Sequence, residues 1–114
     1  MATYYSDANM SDPKDHTRVS RIDFSGSSST RPSVSLSPNV SWGVRWSGFV
    51  RPSLAQMYTV HTVLAEEDER VKLWIDNFLV IDQWTSLAGT VPQGTVMFAI
   101  IGGFYPVVME YKQL

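Results

Sequence analysis

The chain reads as an all-β protein, a single antiparallel β-sandwich or barrel with long loops in its N-terminal third. Three observations predict this class. Apolar and polar residues alternate with a period of two in several short segments, which is the spacing of a half-buried strand. Turn-forming residues separate those segments, and no helical apolar period persists for three turns anywhere. Many short strands punctuated by turns suit a sandwich or barrel. With 114 residues, 44% hydrophobic and 12% aromatic, the chain has material for one domain with one core over residues 1–114.

Residues 1–24 are loop-like, with short apolar pieces at Tyr4-Tyr5 and at residues 19–24. Residues 25–38 form a Ser/Pro-rich tract, with Pro32 and Pro38 at its end. This composition predicts a solvated surface loop, with an O-glycosylated tract as the competing reading. Regular patterning then begins. Val40, Trp42, Val44 and Trp46 alternate with Ser41, Gly43, Arg45 and Ser47, and residues 48–52 break the strand. Tyr58, Val60, Thr62 and Leu64 alternate with Thr59, His61 and Val63 in a second strand.

A hairpin follows an acidic run. Val71, Leu73 and Ile75 alternate with Lys72, Trp74 and Asp76, and Leu79 and Ile81 alternate with Val80 and Asp82 on the return. Asp76-Asn77 is the turn, because both residue types tolerate a left-handed backbone. Residues 85–93 read as a loop, 94–101 as a strand, Gly102-Gly103 as a turn and 104–111 as the last strand. Pro106 has no N–H to give a ladder, which predicts an edge strand or a bulge there. The expected core is Trp46, Leu73, Ile75, Ile81, Phe98 and Ile100.

Composition narrows the function classes. The net charge is −2 with a pI near 5.5, and no basic stripe is present, which argues against a nucleic-acid partner. Cysteine is absent, so disulfides and thiolate metal sites are excluded. The longest apolar run, residues 96–101, falls far short of the ~20 residues of a membrane-spanning helix. No signal peptide precedes the first apolar piece, and Met1 reads as the start of a domain taken from a larger protein. Asn9-Met10-Ser11 and Asn39-Val40-Ser41 are glycan acceptor sequences in a secreted eukaryotic protein and mean nothing elsewhere.

Catalytic constellations are sparse. His16 and His61 lie apart, no serine occupies a Gly-x-Ser-x-Gly elbow, and no metal-ligating histidine spacing exists. Asp76 and Asp82 resemble a carboxylate pair on paper, but turn and strand-exit roles explain them better. The chain therefore reads as a noncatalytic domain. Flat aromatic faces suit sugar rings, and Trp42, Trp46, Trp74 and Trp84 are the candidates. Trp42 and Trp46 share the parity of the core. Trp74 shares a face with Lys72 and Asp76 and is the exposed candidate for ligand binding.

Four segments, in order, carry a family resemblance. Thr3-Tyr4-Tyr5, Trp42-Gly43-Val44-Arg45-Trp46-Ser47-Gly48-Phe49, the run from Asp68 through Asn77 with Val80-Ile81-Asp82-Gln83-Trp84, and Gly103-Phe104-Tyr105 through Glu110-Tyr111 resemble the PA-fourteen domain, named after anthrax protective antigen. The resemblance implies an antiparallel β-sandwich and an extracellular or cell-surface setting. In the family's sugar-binding adhesins two adjacent aspartates, joined by a cis peptide, bind calcium, which in turn holds sugar hydroxyls. By position that pair is Asp68 and Glu69 here, so both are implied ligand and metal residues, with Ca2+ the implied ion. Glu69 departs from the second aspartate, and Arg70 replaces the family's glycine and sets a positive charge beside the site. A solvated charged loop is the competing reading of residues 66–70. The resemblance implies three kinds of module: carbohydrate-binding or adhesive, protein-binding within a larger assembly, or accessory to a glycoside hydrolase. The partner is accordingly a glycan or a protein.

Overall fold

A computed structural model describes residues 1–19, 41–100 and 102–114. Among these residues the chain forms eight strands and no helix: β1 (Ala2–Tyr5), β2 (Pro13–Thr17), β3 (Trp42–Val50), β4 (Met57–His61), β5 (Glu69–Ile75), β6 (Phe78–Gln83), β7 (Gln93–Met97) and β8 (Tyr105–Gln113). Every pairing is antiparallel. Six strands form one sheet in the order β2-β1-β3-β8-β5-β6, and β4 pairs with β7 in a second. The serine- and proline-rich tract at 25–38, the 19–24 piece beyond Val19, Asn39, Val40 and Ile101 lie outside the described residues.

The period of two in the sequence becomes the inward face of the large sheet. Trp42, Val44 and Trp46 from β3, Val71, Leu73 and Ile75 from β5, Ile81 from β6 and Tyr111 from β8 are buried in one cluster. Leu64 and Phe98 join it from segments flanking the small sheet, with Tyr58, Val60 and Val96 partly buried against them. Phe98 meets Tyr58 edge-on, with ring centroids 5.4 Å apart.

The hairpin turns at Asp76 (φ 52°) and Asn77 (φ 64°), the left-handed pair that matches strand twist in a two-residue connection. Its return strand departs from simple alternation. Leu73 faces Ile81 but Trp74 faces Leu79, so Val80 is an extra residue in β6. That bulge restores Ile81 to the core and leaves Leu79 outside it, 49% exposed. Gly94 of β7 sits against this bulge; a Cβ there would collide with the Val80 carbonyl and lie 2.7 Å from its Cγ1.

Four other expectations need correction. Pro106 is on no edge and at no bulge: β8 lies between β3 and β5, and its pairings are regular. Pro106 is tolerated because it precedes the β5 ladder, which ends at Val107, and its carbonyl accepts from the Asp76 N–H at 2.8 Å. Ile100 is 66% exposed, because β7 ends at Met97 and the alternation ends with it. β3 continues through Gly48 to Val50, since β8 supplies a partner for all nine residues. Finally, the N-terminal stretch contains a second strand, β2, where a loop is expected; it is a polar, largely exposed strand at the sheet's edge.

Candidate ligand-binding site

The acidic run enters β5 at Glu69, and strand alternation sends that side chain to the same face as Val71, Leu73 and Ile75. A carboxylate turned inward must find donors. Glu69 Oε2 accepts from the N–H groups of Ala65 and Glu66 at 2.7 and 3.0 Å, and Oε1 accepts from the Tyr111 hydroxyl at 2.7 Å. The Gln113 side-chain amide lies 2.9 Å from the same hydroxyl. Glu69 therefore ties the loop before β5 to the core strand β8. Tyr111 in turn packs against Trp42 and Trp46, at centroid distances of 5.3 and 6.4 Å.

Asp68 and Glu69 consequently diverge. The Asp68 backbone carbonyl accepts from Leu114 N at 3.0 Å, while its Oδ1 is enclosed with no hydrogen-bond partner among the described residues. Arg70 faces the opposite side of the sheet from Glu69 and closes the loop, its Nη1 donating to the carbonyls of Glu67 and Glu69 at 2.6 and 2.8 Å. Among the described residues no three His, Asp or Glu side chains gather in a way that could hold a metal, and no peptide bond is cis.

Burial, together with the hydrogen bond to Glu69, pushes the Tyr111 hydroxyl well above the ordinary tyrosine range. A hydroxyl whose folded-state pKa lies above its unfolded value stabilises the fold fully below pH ~10, and the contribution falls away as pH rises further. Thermal unfolding followed from neutral to strongly alkaline pH checks this. Tyr111→Phe should lose about 1–3 kcal/mol near neutrality, because Glu69 is left one donor short, yet decline less steeply above pH ~10 than the parent. Equal alkaline slopes would contradict the assignment.

The outward face of the large sheet carries a second constellation. Arg70, Lys72 and Trp74 line β5 at alternate positions; Lys112, Glu110 and Val108 stand directly opposite them on β8. Asp82 faces Lys72 from β6, and Trp84 follows that strand. Arg45 reaches across from β3, its Nε donating to Glu110 at 2.8 Å. The Lys112 ammonium sits 4.2 Å from the centre of the Trp84 ring, and that of Lys72 lies 5.0 Å from Trp84 and 5.7 Å from Trp74. Burial, then the charges of Arg70 and Lys72, hold Lys112 below the usual lysine range.

Trp74 is thus on the exposed face as its alternation predicts, half-buried among these side chains. Trp84 shares that face rather than the core, and Lys72 and Lys112 join the two tryptophans there, a grouping that sequence reasoning missed. Lys72 was visible beside Trp74 on one strand face; Lys112 is brought there only by the β5–β8 register.

Asp76 and Asp82 do not form a working pair. Asp76 is in the turn, while Asp82 stands opposite Lys72, four strand positions away, or about 13 Å along the sheet. That exceeds the separation of about 5–9.5 Å that glycoside hydrolysis uses. His61 lies exposed on β4 and His16 exposed on β2. A hollow lined by Gln83, Ala88, Gly89, Val91, Pro92 and Gln93 holds no ionisable side chain.

The family model of the PA14 domain matches residues 1–114. The chain belongs to the PA14 domain family. Its relatives place this PA14 domain in a particular company. It is 36% identical over 92 residues to anti-sigma-I factor RsgI3 of Acetivibrio thermocellus, a match covering 81% of the chain and 13% of that protein. An anti-sigma factor domain-containing protein from Clostridium clariflavum superposes with a TM-score of 0.81 at 28% identity. A second protein so described reaches 0.84 at 31%. Each superposition covers 98% of this chain and 36% of the other. The chain thus spans a small part of the proteins it matches. No helix among its described residues is long and apolar enough to cross a membrane.

Proposed function

We propose that this PA14 domain is the noncatalytic carbohydrate-binding part of a larger regulatory protein of the anti-sigma-factor type, exposed outside the cell. The observation that carries the reading is the outward sheet face. Trp74 and Trp84 lie there beside Lys72 and Lys112, on a face bearing polar groups that can bond sugar hydroxyls. The relatives support the regulatory setting, since the PA14 segment is one portion of proteins named as anti-sigma factors. A glycan-binding domain attached to such a protein would report an extracellular polysaccharide to it.

Calcium at Asp68 is a separable part of this reading. A glycan array run with calcium and with a chelator tests both parts. The expected result is retention of a polysaccharide class that Trp74→Ala abolishes. A chelator-sensitive signal that Asp68→Asn also removes would assign an ion to Asp68, and a chelator-insensitive one would assign binding to the sheet face alone. No retained glycan under either condition would overturn the carbohydrate reading.

A specific feature favours a protein partner as the second reading. Phe49, Phe78 and Phe104 are 73%, 71% and 69% exposed. Phe49 pairs with Pro106, and Phe78 adjoins the turn whose Asp76 N–H meets the Pro106 carbonyl, so two of these rings flank one end of the sheet. Such an edge suits contact with a neighbouring domain.

A further inference from the structure

The outward face carries an unbalanced charge. Arg70 and Lys112 stand directly opposite each other on β5 and β8, a like-charge pair that sheets ordinarily avoid. Lys72 is two residues along the same face of β5. The nearby carboxylates do not neutralise the group. Glu110 is engaged by Arg45. Asp82, though in register with Lys72, makes no ion pair with it; the Lys72 ammonium lies instead over the tryptophan rings. Neither Lys72 nor Lys112 has a carboxylate partner among the described residues. Lys72 and Lys112 thus lie on an aromatic platform, with Arg70 opposite Lys112, on a chain whose net charge is −2.

Ammonium groups laid on indole faces are held in place and partly stripped of water. A carboxylate arriving between Lys72 and Lys112 meets donors already positioned, and relieves their repulsion from Arg70. Trp74, two residues beyond Lys72 on the same face of β5, offers a flat apolar surface whose centre lies 5.7 Å from the Lys72 ammonium.

We propose that Lys72, Lys112 and Arg70, with Trp74 and Trp84, form a site for a carboxylate-bearing polysaccharide, the acid group between the lysines and a sugar ring against Trp74. This rests on the carbohydrate reading above and names its substrate class. A glycan rather than an acidic peptide fits because the apolar element beside the cations is a pair of indole rings, flat surfaces that suit a sugar ring.

Affinity electrophoresis through matched acidic and neutral polymers tests it: carboxymethylcellulose against hydroxyethylcellulose, glucuronoxylan against arabinoxylan, with polyglutamate as the peptide arm. The expected result is stronger retardation by the acidic member of at least one pair, diminished by high salt because exposed charges are screened. Lys72→Gln and Lys112→Gln should each weaken it about tenfold, the equivalent of one lost charge-assisted hydrogen bond. Both variants should keep the parent's melting temperature. Equal retardation by acidic and neutral members, unchanged in the variants, would overturn the acidic-substrate inference and leave the carbohydrate reading intact. Retardation by polyglutamate equal to that by the acidic glycans would overturn the glycan assignment in favour of a general anion site. No retardation by any polymer would overturn the inference, with the glycan array then deciding the broader reading.

Discussion

Leu73→Ala lowers the unfolding free energy by about 2–5 kcal/mol, the usual loss for a buried leucine. Leu73 is central to β5, the strand that joins the acidic loop to the hairpin turn. It faces Ile81 across the hairpin and Met109 across β8, and it lies in the buried cluster with Val71 and Ile75. Truncation leaves a void bounded by two paired strands that cannot close together without breaking their ladders. A denaturant titration reads the effect as a midpoint shift at constant slope. A midpoint that barely moves would mean the strand is one residue out of phase and Leu73 faces water.

Gly94→Ala is the second large effect, and it acts through backbone rather than cavity. The β7 chain passes so close to the Val80 bulge that an added Cβ meets the Val80 carbonyl carbon at 3.0 Å and collides with its oxygen. The obstructing atoms belong to main chain, which cannot rotate aside as a side-chain tip can. The added methyl must push β7 away from β6. We expect a loss of about 3 kcal/mol, the upper end of ordinary overpacking. An alanine variant as stable as the parent would show that the two sheets separate there at little cost.

Much of this fold was legible because its signals are local. The alternation of Val71, Leu73 and Ile75 with Lys72 and Trp74, and the Asp76-Asn77 turn, are written within a dozen residues, and the structure follows them. Trp42, Val44 and Trp46 are inward as their parity requires. What was illegible depends on distant partners. The bulge at Val80, which turns Leu79 outward, accompanies the approach of Gly94 from another sheet. The nine-residue length of β3 follows from β8, more than fifty positions away in sequence. The strand β2 is polar and nearly all exposed, so no apolar period announces it.

The site divides in the same way. Trp74 could be placed on the outward face from alternation alone. Glu69 could have been placed inward by extending the same alternation two residues back from Val71; the family resemblance instead paired it by position with Asp68 as a ligand. Its actual partners, Tyr111 and the loop amides, combine near and distant sequence. The pairing of Lys112 with Arg70 is a property of strand order, which no local pattern contains.

The central claim, that ligand binds the outward face of the large sheet, is tested most directly by amide and indole chemical shifts recorded while a retained polysaccharide fragment is titrated in. The account predicts that the changes concentrate at Lys72, Trp74, Trp84, Glu110 and Lys112, with both outward indole N–H signals moving and those of Trp42 and Trp46 still. Changes confined to residues 66–69, or to β4 and β7, with the outward tryptophans unmoved, would contradict it.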